Sequence, residues 1–222
     1  MRWTTPLALS AFLFAAAPTA AVAAEPAAAP GTVQELADVL KERYAAVKTL
    51  EAAVVQTTAS AMGDTTMSGR VYLSRPGKGR WELSGGGFET LMVFDGAAGW
   101  LYTPASKQVI KMGGGDTDNA LDPLALVASL NEDFDTTLVE GDASLYVVEA
   151  APKAGTKLAG QYKQVRLEVA RADLLPTRLT LSDNFGGSTD IRFSDAKVDG
   201  ALKAELFQFT PPAGVEVVDG SL

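Results

Sequence analysis

The 222-residue sequence contains no histidine and no cysteine. Histidine is the side chain most often used for proton transfer near neutral pH, and it is the commonest zinc ligand. Its absence excludes Ser-His-Asp and Cys-His catalysis. A carboxylate-dependent hydrolase is an alternative from another class, but neither a paired-carboxylate motif nor a nucleophile elbow supports it. We therefore expect a protein that is not an enzyme and that holds neither a metal nor a cofactor.

The absence of cysteine means that no disulfide can stabilise the fold. A chain of this length can bury enough surface to form one ordinary domain without such cross-links. We expect a linker rich in alanine and proline at residues 25–31, followed by a single domain at residues 32–222 that contains no solenoid repeat.

Residues 1–24 have the pattern of a cleaved secretory signal peptide. Arg2 supplies the positive charge, residues 7–17 are apolar, and small residues lead to a cleavage site expected after Ala24 or the residue before it. A membrane-spanning helix would need roughly 20 apolar residues, and Pro18 interrupts this run too early. Since no cysteine is available near the site to carry a lipid anchor, we expect a soluble periplasmic protein.

The sequence is acidic, with 19 basic and 27 acidic residues and a net charge of −8. Arg2 is the one charged residue among residues 1–24, so cleavage would leave the remainder more acidic still. An acidic surface argues against nucleic acid as a partner and against tight binding to anionic lipid headgroups.

The predicted domain begins with an amphipathic helix. Thr32 and Glu35 have the spacing of a capping box, in which each side chain accepts a hydrogen bond from a free backbone N–H group. Apolar residues then recur at helical spacing, which predicts a helix over residues 33–48 that packs on a core.

Short segments of alternating apolar and polar residues, separated by turn residues, predict a series of antiparallel strands. The clearest alternation spans residues 66–73. From Leu50 the period changes from that of a helix to that of a strand. The other segments predicted to be extended are residues 80–83, 91–94, 100–103, 108–112, 134–140, 145–150, 164–169, 177–182, 189–194 and 215–218.

Residues 122–130 do not follow this alternation of apolar and polar residues. Asp122 and Pro123 are typical of a helix start, and residues 124–130 are almost entirely apolar. A helix that is apolar on all sides is not suited to a surface facing water, so we expect this one to plug an apolar space.

An ordered series of short motifs resembles the LolA family, the outer-membrane lipoprotein carriers of Gram-negative bacteria. The series extends from about Thr32 to Val218. Its landmarks are Val54-Val55-Gln56-Thr57, Gly69, Arg75-Pro76-Gly77-Lys78, Arg80-Trp81-Glu82, Val93-Phe94-Asp95-Gly96, Trp100-Leu101-Tyr102, Pro104, Gln108-Val109, Pro123, Leu174, Pro176, Phe207, Phe209, Pro211-Pro212 and Gly214-Val215.

The resemblance implies a mainly β fold with a helical lid (α+β): an incomplete antiparallel β-barrel of about eleven strands, whose hydrophobic cavity is covered by short helices. It implies a monomeric carrier that takes acylated lipoproteins from an inner-membrane lipoprotein-releasing transporter. The carrier would pass them to an outer-membrane receptor while its cavity holds the acyl chains.

The resemblance also implies a role for Arg75. In the family, the arginine of the Arg-Pro pair hydrogen-bonds backbone carbonyls of the lid helix and holds the lid shut. The alternative is a surface arginine that pairs with an acid such as Glu82. One departure from the family pattern is Gly79, where other members often carry an aromatic residue at the rim, a position implicated in transfer from the transporter.

The apolar faces of the predicted strands and of the lid helix supply candidates for acyl-chain binding, although an ordinary packed core would give the same pattern. The candidates are Leu50, Val54, Met67, Val71, Leu73, Trp81, Leu83, Leu124, Val127, Ile191 and Phe193.

The second functional hypothesis is a periplasmic lipid-sensing regulator built on the same half-barrel. Such regulators usually carry a further domain after the half-barrel, and this sequence ends at Leu222. We therefore expect the carrier rather than the regulator.

Overall fold

The computed structural model describes residues 30–113, 126–127, 129–139 and 142–220. These residues contain a twelve-stranded sheet with two edges, so the barrel is open. The strands are β1 (Thr49–Ser60), β2 (Gly63–Ser74), β3 (Lys78–Gly85), β4 (Phe88–Asp95), β5 (Ala98–Thr103), β6 (Gln108–Gly113), β7 (Phe134–Val139), β8 (Leu145–Pro152), β9 (Tyr162–Ala170), β10 (Pro176–Asp183), β11 (Ser188–Val198) and β12 (Glu216–Asp219).

The sheet consists of two antiparallel meanders, β1–β6 and β7–β11, which join where β1 pairs with β11. The predicted fold class, mainly β with an unclosed sheet and few short helices, is confirmed. The resemblance implies about eleven strands, and the described residues contain twelve. The last strand, β12, starts one residue later than predicted and pairs in parallel with β6 at one edge of the sheet.

The first helix, α1 (Val33–Ala46), starts as predicted. The Thr32 hydroxyl accepts a hydrogen bond from the Glu35 N–H group, and the Glu35 carboxylate accepts one from the Thr32 N–H group. Hydrogen bonds from the Gly31 and Thr32 N–H groups lower the pKa of Glu35. The helix ends two residues before the predicted boundary because Val47 adopts an extended backbone conformation.

The second helical segment covers the same face of the sheet as α1. Residues 126 and 127 are helical, and a short helix, α2 (Leu130–Asp133), leads into β7. Asp122 and Pro123, the predicted start of this segment, lie outside the described residues. Val127 and Leu130 are almost completely buried, as expected for a helix that plugs an apolar space.

The sheet has an inner face, defined here as the face covered by α1, residues 126–127 and α2, and an outer face. The main hydrophobic core lies between the inner face and these helical segments. The outer face of the strands carries ion pairs such as Arg70 with Glu51 and Arg178 with Asp190.

A smaller apolar cluster lies on the outer face of β4–β6. Phe207, in a 3-10 turn at Ala204–Phe207, is buried together with Val93 and Val109. The Arg80 guanidinium holds this turn by donating a 3.2 Å hydrogen bond to the Leu206 carbonyl. The segment that leads to β12 therefore crosses the outer face and leaves the inner face to the helices.

Candidate functional site

The structure gathers the candidate acyl-binding residues on the inner face. Met67 is half-buried, and the other described candidates are at most 9% exposed. All belong to, or pack against, one hydrophobic cluster. They are Leu50, Val54, Met67, Val71, Leu73, Trp81, Leu83, Val127, Ile191 and Phe193; the remaining candidate, Leu124, lies outside the described residues.

Strand pairing explains why residues distant in sequence meet here. Leu50 lies opposite Leu73, Val71 lies opposite Trp81, and Phe193 lies opposite Val54. Because side chains alternate between the faces of a sheet, these cross-strand neighbours all point to the inner face.

Two aromatic rings meet across the inner face. Trp81 on β3 and Phe193 on β11 are separated by two intervening strands, which corresponds to roughly 14 Å between strand axes. Their ring centroids are nevertheless 6.4 Å apart, in an edge-to-face arrangement. On the intervening strands Ala52 carries only a methyl group and Gly69 has no side chain, which leaves the rings room to lean together. The two rings therefore lean toward each other across the inner face.

Gly69 also sets the close approach of two strands. A Cβ atom at this position would lie 1.7 Å from the backbone oxygen of Glu82 on β3. Only glycine allows this spacing, and glycine is common where a curved sheet turns a corner. The sequence placed Gly69 among the family landmarks but did not indicate this steric reason.

Tyr44 attaches α1 to the second meander of the sheet, β7–β11. Its ring is completely buried, and its hydroxyl donates a hydrogen bond to the Leu174 carbonyl in the turn before β10. Burial, together with the negative charge of Asp173, raises the pKa of Tyr44 above its ordinary value of 10. Tyr44 falls within the helix predicted over residues 33–48, but the sequence did not predict this contact, because nothing local links Tyr44 to residue 174.

Arg75 lies in the turn between β2 and β3, beside the last turn of α1. Its guanidinium donates a hydrogen bond to the Tyr44 carbonyl, and its backbone N–H donates one of 2.8 Å to the Lys48 carbonyl. Glu82, the alternative partner considered from the sequence, forms an ion pair with Arg80 at 2.6 Å. Most of the lid segment at residues 122–130 lies outside the described residues, so the contact expected there stays a prediction.

Polar contacts at the rim also connect the helical segments. Lys41 of α1 forms an ion pair with Glu132 of α2, and the Asn131 amide donates a 3.1 Å hydrogen bond to Asp38. The Lys153 ammonium donates to the carbonyls of Asn131 and Glu132, both at 3.0 Å. A cation at a helix C-terminus satisfies carbonyls that lack helical partners. The sequence did not predict this contact of Lys153, because no residue near Lys153 in the chain indicates an interaction with α2.

Gly79 lies beneath two apolar side chains. A Cβ atom here would lie 3.4 Å from Leu73 and 3.7 Å from the ring of Phe94, which is 5% exposed. The side chains of neighbouring strands therefore flank the space above the glycine.

The inner face is chemically uniform. Among the described residues no carboxylate, ammonium or guanidinium group is buried, and the core offers van der Waals surface together with the phenols of Tyr44 and Tyr146. Such a surface can hold an apolar ligand. Within the described part of the chain, no helix combines the length and apolar composition needed to cross a membrane.

Comparison with known proteins gives consistent matches over most of the chain. A family model described as "Outer membrane lipoprotein carrier protein LolA" matches residues 45–210. An outer-membrane lipoprotein carrier protein from Dechloromonas aromatica is 37% identical over 216 residues, covering 95% of this chain and 95% of that protein. One from Chromobacterium violaceum is 33% identical over 205 residues, covering 91% and 96%.

Among solved structures, an uncharacterized conserved protein from Thermus thermophilus has a similar fold. It superimposes with a TM-score of 0.53 at 17% sequence identity and covers 84% of this chain and 98% of that chain. At this level of identity the likeness concerns the fold alone.

Proposed function

Because the chain belongs to the family of the outer-membrane lipoprotein carrier protein LolA, we propose that it is a periplasmic carrier that binds the acyl chains of lipoproteins. The observation that carries this proposal is the inner face, an apolar surface of an open sheet that is covered by helices instead of by a second sheet. Sheltering an acyl chain from water is worth about 0.8 kcal/mol per methylene, so even one chain would strongly favour such a surface.

The cover must move for a ligand to enter. The buried face of α1 fills the space above the sheet with the side chains of Leu36, Leu40 and Tyr44, and the opposite face of the helix is exposed to solvent. An acyl chain that displaces them replaces one apolar contact with another. Binding and release can then be close to balanced, and no nucleotide is needed in the carrier itself.

We assign Arg75 the role of lid latch within this proposal. An arginine is always charged and offers several donors in a fixed fork, which suits it to holding backbone carbonyls. The hydrogen bond from Arg75 to the Tyr44 carbonyl supports the assignment from the side of α1. The same arginine would hold the carbonyls of the segment at residues 122–130.

The complete proposal is a monomeric shuttle. Residues 1–24 would direct export and be removed, and the mature chain would take lipoproteins from an inner-membrane transporter to an outer-membrane receptor. N-terminal sequencing of the periplasmic protein should give a start at Ala24 or Glu25. An intact N-terminus on membrane-bound protein would contradict this part of the proposal.

Native mass spectrometry of the protein purified from periplasm tests the binding function. We expect a fraction that carries the mass of a lipid or lipoprotein, and we expect delipidated protein to bind a synthetic triacylated peptide. Displacement of an apolar fluorescent probe by the same peptide gives an independent readout. Protein that carries no ligand, ignores the triacylated peptide and leaves the probe in water would overturn the proposal.

A further inference from the structure

Two neighbouring hairpins form one end of the sheet. The hairpin of β1 and β2 turns at residues 61–62, and the hairpin of β10 and β11 turns at residues 184–187. Ala59 pairs with Ser188, so the two turns lie at the same level, at the end of the sheet away from Arg75. Their centres are two strand spacings apart, or about 10 Å.

Each of these turns projects a large apolar side chain into solvent. Met62 is 98% exposed and Phe185 is 92% exposed, the two highest values among the exposed large hydrophobic residues of the described chain. Hairpin turns are usually built from small and polar residues. Single exposed apolar residues are common, but two at adjacent tips are not explained by the fold.

Both turns are held in one conformation by side-chain hydrogen bonds. The Asp183 carboxylate accepts from the N–H groups of Phe185 and Gly187, at 2.7 and 2.8 Å. The Ser60 hydroxyl accepts from the Met62 N–H group at 3.3 Å. These hydrogen bonds hold the backbone of the two turns from which the Met62 and Phe185 side chains project.

A cleft of about 380 Å³ opens beside Phe185. Its lining includes Thr58, Tyr162 and Leu181, and Leu181 also packs against the core of the inner face. The cleft therefore extends from the exposed tip to the margin of the inner face.

We propose that Met62 and Phe185 form a membrane-contact edge, through which the protein touches the surface of an electrically neutral phospholipid bilayer. Ser60 and Ser188, at the ends of β1 and β11, lie between the two side chains, so these do not form the contiguous apolar patch that a protein partner would bury. Separate apolar side chains can each enter the lipid interface without a complementary surface. The nearby Asp64 and Asp183 carboxylates, together with the acidic net charge, disfavour anionic lipids.

This inference does not depend on which ligand the inner face binds. Its test is flotation of the purified protein with phosphatidylcholine vesicles. We expect Met62→Ser and Phe185→Ser each to lower the partition coefficient about tenfold, as expected for losing one buried apolar side chain. The matched control is Phe88→Ser, because Phe88 is also an exposed phenylalanine, at 55%. Phe88 pairs with Gly85, and Gly85 lies beside Thr66 and Met67 of β2. Phe88 is therefore set back along β2 by several residues from the tip that carries Met62.

A second measurement uses the absence of cysteine. Single variants Met62→Cys, Phe185→Cys and Val55→Cys can each be labelled uniquely with an environment-sensitive dye. Phosphatidylcholine vesicles should shift the emission of the two tip labels to shorter wavelength and leave the label at Val55, on the outer face, unchanged. Adding phosphatidylglycerol to the vesicles should weaken the shift.

Three outcomes would overturn the proposal. One is a wild-type protein that does not associate with protein-free vesicles, which would leave a protein partner as the occupant of the tips. Another is an equal loss of partitioning in Phe88→Ser. The third is stronger binding to vesicles containing phosphatidylglycerol, because that would indicate an electrostatic contact elsewhere on the surface.

Discussion

The guanidinium of Arg75 donates a hydrogen bond to the backbone carbonyl of Tyr44, the buried aromatic residue in the last turn of α1. The hydroxyl of the same tyrosine reaches the Leu174 carbonyl on the other meander of the sheet. The end of α1 is therefore attached to both halves of the open barrel, through one side chain and one backbone carbonyl.

Replacing Arg75 with leucine should loosen α1 without unfolding the sheet. A hydrogen bond from a charged group contributes about 1.5–3 kcal/mol, which corresponds to a change of roughly tenfold or more in the ratio of closed to open lid. We expect faster hydrogen exchange at residues 41–46 and altered transfer of bound lipoprotein to acceptor vesicles that carry the receptor. Arg75→Lys should be intermediate because it keeps the charge and loses the fork.

The matched control for this prediction is Arg70→Leu. Arg70 is an arginine of the outer face, where it pairs with Glu51 on the neighbouring strand. This variant should exchange and transfer as the wild type does. If Arg75→Leu behaves in the same way, Arg75 is an ordinary surface residue and the latch assignment is wrong.

The stability of the fold should fall at alkaline pH through Tyr44. Its pKa in the folded protein is raised above the ordinary value of 10, so the folded state keeps a proton that the unfolded state releases. The stabilisation is complete below that ordinary value and is lost as the pH rises above it. Urea unfolding between pH 8 and about pH 11 should show this loss in the wild type, and Tyr44→Phe should reduce it. An identical alkaline loss in Tyr44→Phe would assign the effect to other groups.

Gly69→Ala should destabilise the sheet. The added methyl group would meet the Glu82 backbone oxygen, which cannot move aside as a flexible side chain could. Overpacking of this kind typically costs about 1–3 kcal/mol, and a backbone clash should lie at the upper end. The control is Gly200→Ala, where no atom lies within 4 Å of the added carbon. Equal urea midpoints for the two variants would mean that β2 and β3 can separate without cost.

Much of the fold could be predicted because its signals are local. The alternation at residues 66–73 and the turn residues between strands describe the meanders, and Thr32 with Glu35 gives the start of α1. The predicted range was too short at the hairpin end of β2. This strand begins at Gly63, three residues before the predicted start, where the residues are exposed and the apolar alternation fades.

Other features could not be predicted because they depend on contacts between distant residues. The pairing of β12 with β6 requires the chain to cross the outer face, and the positions of Tyr44 against Leu174 and of Phe94 above Gly79 follow from the curvature of the sheet. For the candidate site, alternation identifies the apolar face. It does not identify which helix covers that face, and the structure places the buried side chains of α1 against it.

The last prediction separates the inner face from the rest of the surface. Val71→Glu places a carboxylate on the inner face, at a side chain that is completely buried in the hydrophobic core. Burying a charge there without a partner is costly, so the variant should lose binding of an apolar fluorescent probe, either directly or by expelling α1. Val55→Glu makes the same chemical change on the outer face, where Val55 is 43% exposed, and it should bind the probe as the wild type does. Circular dichroism would establish that both variants keep their β structure.

Met67→Glu, at a half-buried position of the same inner face, gives a second readout that disturbs packing less. If Val71→Glu and Met67→Glu are both folded and bind the probe as tightly as Val55→Glu, apolar ligands bind elsewhere and the inner face is a packed core.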